Sequence, residues 1–165
     1  MPTVRPPRKT RPEIPLRQRA LKLLALRDHS RRELARKLAR YSEDQDEIAR
    51  VLDDFERRGW LSEKRLVESY TAAKRARFGA RRIEFDLRAK GVSDAAIAGV
   101  SSALKAGDLG AAREVWRKKF SALPADARER ARQTRFLLGR GFGADVIRRV
   151  LKLGAGDDAY DDDLS

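Results

Sequence analysis

Leu87-Arg88-Ala89-Lys90-Gly91-Val92 is followed fifty residues later by Leu137-Leu138-Gly139-Arg140-Gly141-Phe142: an apolar anchor, three residues, a glycine and a second apolar side chain. The surrounding anchors keep the same phase. Leu38, Ile48 and Val51 recur 49 residues later as Leu87, Ile97 and Val100, and 50 residues after that as Leu137, Ile147 and Val150. Shared apolar spacing alone is weak, because all amphipathic helices resemble one another. A glycine hinge in phase with three anchors marks an internal repeat. Each unit reads as a helix pair around its hinge, and the first two add a further helix, over 63–78 and 109–122. Units of this size cannot bury their apolar faces alone and must stack. The predicted fold is all-α, an elongated curved array of tandem three-helix repeats, with repeats over 16–78, 79–122 and 123–153. A basic N-terminal arm (1–15) and an acidic C-terminal tail (154–165) flank them.

Local signals agree with a helical chain of eight or nine short segments and no sheet. From Leu16 to Leu123 there is no proline, whereas five of the six prolines fall in the first fifteen residues among Arg5, Arg8, Lys9 and Arg11. That stretch is expected to be an extended, mobile arm, since proline removes donors and blocks helix. Within the helical part, Ile48, Val51, Leu52 and Phe55 stand at i, i+3, i+4 and i+7. Ser30-Arg31-Arg32-Glu33 has the form of a capping box. Ser62, Ser93, Asp108 and Asp126 are expected N-caps, and Gly59, Gly79, Gly91 and Gly107 expected left-handed helix stops.

Composition narrows the function classes. The 165 residues contain 38 Lys and Arg against 25 Asp and Glu, a net charge of +13. The tail holds five acids (Asp157, Asp158, Asp161, Asp162, Asp163) and no base, so the preceding 156 residues carry +18. Such a charge favours polyanionic partners. With no cysteine and a single histidine, His29, disulfides, thiolate metal sites and histidine-rich metal sites are excluded. A Ser–His–Asp triad has only His29 to draw on, with no residue nominated to orient it. No apolar run exceeds four residues, against the ~20 a membrane span requires. A cytoplasmic monomer is expected, with no cofactor, no metal and no membrane contact.

Between Leu52 and Val92 the chain resembles the bacterial RecX family, regulators of the recombinase RecA. The resemblance rests on four features: Gly59-Trp60-Leu61-Ser62-Glu63, a glycine–aromatic–Leu–polar–acid turn; Arg75, Gly79 and Arg82-Ile83, a basic helix followed by a glycine and a second basic–Ile pair; Leu87, Lys90, Gly91 and Val92, the hinge; and Arg135 to Phe142 with Asp145 to Val150, the closing repeat. It extends over about residues 16–153. The family's usual proline after the mid-chain glycine is Ala80 here, a small departure because proline there only pre-sets a helix start. The resemblance implies a non-enzymatic protein of tandem three-helix repeats. It also implies binding to RecA and to the RecA–single-stranded DNA filament, with inhibition of its ATPase, strand-exchange and co-protease activities and hence regulation of DNA repair and recombination.

The candidate binding face is Lys74, Arg75, Arg77, Arg81, Arg82, Arg88 and Lys90, which with Glu84 and Asp86 give the segment a local charge of +5. Arginine suits either target, since its guanidinium makes bidentate bonds to carboxylate or phosphate. Secondary clusters are Arg31, Arg32, Arg36, Lys37 and Arg40; Arg117, Lys118 and Lys119; and Arg148, Arg149 and Lys152. Gly59, Trp60, Leu61, Gly79, Gly91 and Gly141 are expected to be structural, with Trp60 and Trp116 in the core. Expected partners are the RecA filament and single-stranded DNA, with duplex DNA bound nonspecifically. The acidic tail is expected to be a disordered, solubilising segment, or a competitor for the basic face. Ser30 to Leu38 also has the look of a helix-turn-helix start, so a sequence-specific DNA-binding regulator is the alternative function.

Overall fold

The computed structural model describes residues 14–153. Most of the expected arm and the whole of the expected tail lie outside the described residues. Nine helices are found among them, and no strand: α1 (Leu16–Leu26), α2 (Arg31–Leu38), α3 (Gln45–Arg57), α4 (Glu63–Lys74), α5 (Ala80–Ala89), α6 (Asp94–Ala106), α7 (Asp108–Arg117), α8 (Ala127–Gly139) and α9 (Ala144–Leu153). They form three-helix units, α1–α3, α4–α6 and α7–α9, each around its own apolar cluster. The described residues divide into two compact parts on either side of the Ser62–Glu63 bond, the second holding two of these units.

Repeat anchors are where the periodicity put them. Leu38, Leu87 and Leu137 are fully buried, as are Ile48, Ile97 and Ile147 to within a few per cent. Ser30, Ser93 and Asp126 cap their helices as expected, each accepting a backbone N–H from the third residue on. The hinges at Gly91 and Gly141 close in the Schellman pattern: the amides of Val92 and Phe142 reach the Leu87 and Leu137 carbonyls, and the glycine amides reach Arg88 and Leu138. Gly59 ends α3 the same way, its own amide reaching Glu56 and that of Trp60 reaching Phe55. These three glycines alone among the described residues have positive φ.

The grouping of helices differs from expectation. The helix over 63–78, read as closing the first repeat, instead opens the second. Leu66 and Val67 of α4 pack with Ile83 and Leu87 of α5, Val92 of the hinge, and Ile97 and Leu104 of α6. The Glu63 carboxylate accepts from both the amide and the hydroxyl of Ser93, at 2.7 Å each. Likewise α7 opens the third unit, with Ala112, Val115 and Trp116 against Leu137, Ile147 and Val150. An amphipathic helix lying between two hinge pairs can serve either neighbour, and its own periodicity does not say which.

Two expected stops and one expected cap have other roles. Gly79 and Gly107 have φ of −79° and −83°, within reach of any residue. Gly79 is there for close approach: a Cβ on it would lie 2.6 Å from the Gly141 carbonyl oxygen and 2.7 Å from the Phe142 ring, and its amide donates to the Arg140 carbonyl at 2.8 Å. Asp108 is buried and does not cap α7. Its carboxylate accepts the first amide of α5, Ala80, at 3.0 Å and pairs with the Arg75 guanidinium at 2.6 Å. Arg75 also donates to the Leu104 carbonyl at 2.5 Å, so one ion pair joins the end of α4 to α5, α6 and α7.

Removing one side of such a pair leaves a charge and an amide without partners. Asp108→Ala is therefore expected to cost about 3 kcal/mol, discounted from the fully buried case because the Arg75 side chain is 23% exposed. Urea titration checks this; a midpoint unchanged from the parent protein would show the pair to be dispensable.

The α1–α2 turn carries the single histidine. His29 is buried, with Nδ1 2.9 Å from the Arg27 carbonyl and Nε2 2.9 Å from the Lys37 ammonium. This arrangement requires a neutral ring that donates at Nδ1 and accepts at Nε2. Burial lowers its pKa, and the nearby Arg27 and Lys37 charges add to this, against the Arg27 carbonyl and Glu33. The unfolded chain then binds the proton more readily than the folded one, so stability rises with pH. The contribution is complete above the unfolded pKa of ~6.5 and is lost as pH falls through that value toward the depressed folded one. Urea midpoints measured from pH 7.5 to 5 should fall, and His29→Gln should flatten this part of the profile. An equal slope in both proteins would remove His29 as its source.

Candidate functional site

The basic run from Lys74 to Lys90 does not form one face. Arg75 points inward to Asp108 and is not available to a partner. Lys74 and Lys90 lie over the Tyr70 ring at 5.6 and 5.2 Å, which is held by a hydrogen bond from its hydroxyl to Asp86. Burial and that bond push the Tyr70 phenol up to about 12. Arg82 pairs with Asp86 at 3.0 Å, and Arg88 with Asp94 at 3.2 Å beside a separate open depression that includes Lys105. Arg81 is exposed near the Gly141 hinge, its guanidinium 3.6 Å from where a Cβ on Gly143 would lie.

Arg77 leads to the site that the sequence did not disclose. In the turn after α4 it lines a groove of about 270 Å³ together with Lys118 and Lys119 just after α7 and Arg140 just after α8. Ala76, Val115 and Phe136 complete it. One member of the expected main face is thus joined to two of an expected secondary cluster that lies far along the chain.

Aromatic rings hold the guanidiniums in place. Arg77, Arg82 and Arg140 lie 5.7, 5.8 and 5.6 Å from the Phe78 centroid, and Arg140 also lies 5.1 Å from Phe136. Phe136 is itself edge-on to Phe120. Cation–π contacts of ~0.5–1 kcal/mol each fix direction more than they add stability. Four positive charges converging over apolar floor residues suit an extended anion such as a phosphodiester or an acidic peptide.

Arg140 and Phe136 were both missed as site residues. Arg140 is the residue before the positive-φ glycine, and the other two such hinges also place a cation there: Arg58 over Trp60 at 5.2 Å and Lys90 over Tyr70. A cation at this position favours the negative end of the helix, and its recurrence was the signal available.

Remaining clusters are partly committed within the fold. Arg31 pairs with Asp53 at 2.7 Å and Glu56 at 2.6 Å, tying α2 to α3. Lys37 meets His29 and, at 3.7 Å, Glu33, which also pairs with Arg27. Arg32, Arg36 and Arg40 are exposed. Arg117 pairs with Glu114, and Arg148, Arg149 and Lys152 are exposed on α9.

Trp60 departs from the expected core position: it is 39% exposed, edge-on to Phe55 and flanked by Arg17 and Arg58. Trp116 is in the core, its indole donating to buried Gln133 at 2.8 Å. Among the described residues there is no cluster of His, Cys, Asp and Glu able to hold a metal, and no helix long and apolar enough to cross a membrane.

Family models for the first and the third three-helix domain of RecX match residues 17–55 and 107–151. The regulatory protein RecX of Leptothrix cholodnii is 50% identical over 93% of this chain and 96% of its own length. The chain belongs to the RecX family. RecX of Chromobacterium violaceum is 46% identical over 89% of this chain and 95% of that protein. The crystal structure of RecX from Lactobacillus salivarius shares the fold, with a TM-score of 0.71, 18% identity and coverage of 83% of this chain and 92% of that one. Both relatives are regulatory proteins.

Proposed function

We propose that this chain binds RecA and the RecA–single-stranded DNA filament, and thereby restrains ATP hydrolysis, strand exchange and co-protease action. The reading rests on family membership together with one observation: four cations from three helix ends converge in a single groove. An acidic surface of the filament or the phosphates of its DNA is the natural counterpart. Each contact is weak by itself, being exposed and screened. Several contacts held at fixed separations on one rigid surface reinforce one another.

The alternative of a sequence-specific duplex reader draws less support, because Arg31 and Lys37 of α2 are held by carboxylates and His29 of the same domain. Titrating the protein into RecA, single-stranded DNA and ATP tests the proposal, with hydrolysis falling as protein is added. Unaltered hydrolysis together with strong preference for one duplex sequence would replace it with the alternative.

A further inference from the structure

We propose that the chain's own acidic C-terminal segment, residues 157–163, docks in the groove formed by Arg77, Lys118, Lys119 and Arg140 and must be displaced when a polyanion binds there. The second half of this inference rests on the reading of the groove as a binding site; the first half does not.

Charge complementarity selects the occupant. The segment Asp157-Asp158-Ala159-Tyr160-Asp161-Asp162-Asp163 holds five carboxylates and no base. The groove presents four cations, of which Arg77, Lys118 and Lys119 are exposed. Arginine's planar fork binds carboxylate and phosphate alike, so either polyanion suits these cations. Tyr160, in the middle of the run, supplies a ring to set against the Phe136 and Val115 floor.

Reach permits the contact. Helix α8 runs into the hinge at Arg140, and α9 leads away from that hinge for ten residues, ~15 Å at 1.5 Å each. The chain beyond Leu153 covers up to ~3.3 Å per residue, so Asp157 extends to ~13 Å and Asp163 to ~33 Å. The reach of Asp158 to Asp163, roughly 17 to 33 Å, therefore exceeds the ~15 Å length of α9 that separates Leu153 from the hinge. Because groove and segment belong to one chain, the effective concentration is high even for a weak contact.

Zero-length carbodiimide coupling, which condenses a carboxylate with a lysine amine to an amide and releases the activating group as its urea, tests the docking. Mass spectrometry of the full chain should place the tail links at Lys118 and Lys119, and a mixture of light- and heavy-isotope protein should show them to be intramolecular. Tail links spread evenly over exposed lysines such as Lys64 and Lys105, or none to the tail, would overturn the docking.

Displacement is tested with a fluorescent oligodeoxythymidylate at low salt. Truncation after Leu153 should tighten binding about tenfold, ~1.4 kcal/mol, and the gain should vanish when Arg77, Lys118 and Lys119 are all replaced by Gln. A gain of equal size in that groove variant means bulk repulsion by the tail and refutes displacement. Links at Lys118 and Lys119 with an oligonucleotide affinity indifferent to the groove would leave the docking established and remove the groove as the DNA site.

Discussion

Replacing Gly141 with alanine is expected to destabilise the protein by about 3 kcal/mol or more. Two effects add. Gly141 has φ of +85°, a region that costs an L-residue with a Cβ ~1–2 kcal/mol. The new Cβ would also lie 2.6 Å from the backbone nitrogen of Arg82, and backbone at the start of α5 cannot move aside as a side-chain tip can. Overpacking of this kind costs a further ~1–3 kcal/mol. Gly59→Ala is the control: it has φ of +69° but nothing within 4 Å of an added methyl, so only the conformational cost of ~1–2 kcal/mol applies. Urea denaturation of both variants measures the difference. Equal midpoints would mean that the close contact between the Gly141 hinge and the start of α5 contributes nothing.

Reversing Arg77, Lys118 and Lys119 to Glu together is expected to abolish inhibition of RecA ATP hydrolysis and to weaken single-stranded DNA binding at least ~100-fold at low salt. Loss of three phosphate contacts lowers the slope of log affinity against log salt by about 2, at ~0.7 per contact on a single strand. The three side chains are exposed, so the fold should be retained, which circular dichroism would verify. Arg140 is left in place because its guanidinium covers Phe78 and Phe136. Arg75 is excluded because it is part of the Asp108 ion pair, and its loss would confuse unfolding with loss of binding. Arg32, Arg36 and Arg40 reversed together give the same change in net charge at residues that do not line the groove. If that control inhibits no better than the groove variant, overall charge and not the groove governs binding.

The repeat was legible because burial requires regular spacing. Leu38, Leu87 and Leu137 must face a core, and hinges that reverse a helix with a left-handed residue require glycine at 91 and 141. Helix caps at Ser30, Ser93 and Asp126 were legible for the same reason, since each satisfies amides only three residues away. Asp108 was misread because its side chain has two uses for one chemistry. A carboxylate at a helix start can cap its own helix or, as here, the helix that begins at Ala80.

Amino-acid sequence alone determined that this protein is helical, repeated, strongly basic and of the RecX type. Each of these follows from local periodicity, composition or motif order. Only the tertiary structure decided which helices share a core, and which of the cations between Lys74 and Lys90 face inward, cover an aromatic ring or line the groove. Arg75 and Arg77 lie two residues apart in the turn after α4, yet Arg75 is directed inward to Asp108 and Arg77 lines the groove, so neighbouring charges in the chain diverge in space. Arg77 and Lys118 meet because Ala80, Asp108 and Gly141 bring their helices together, through contacts that no local pattern encodes.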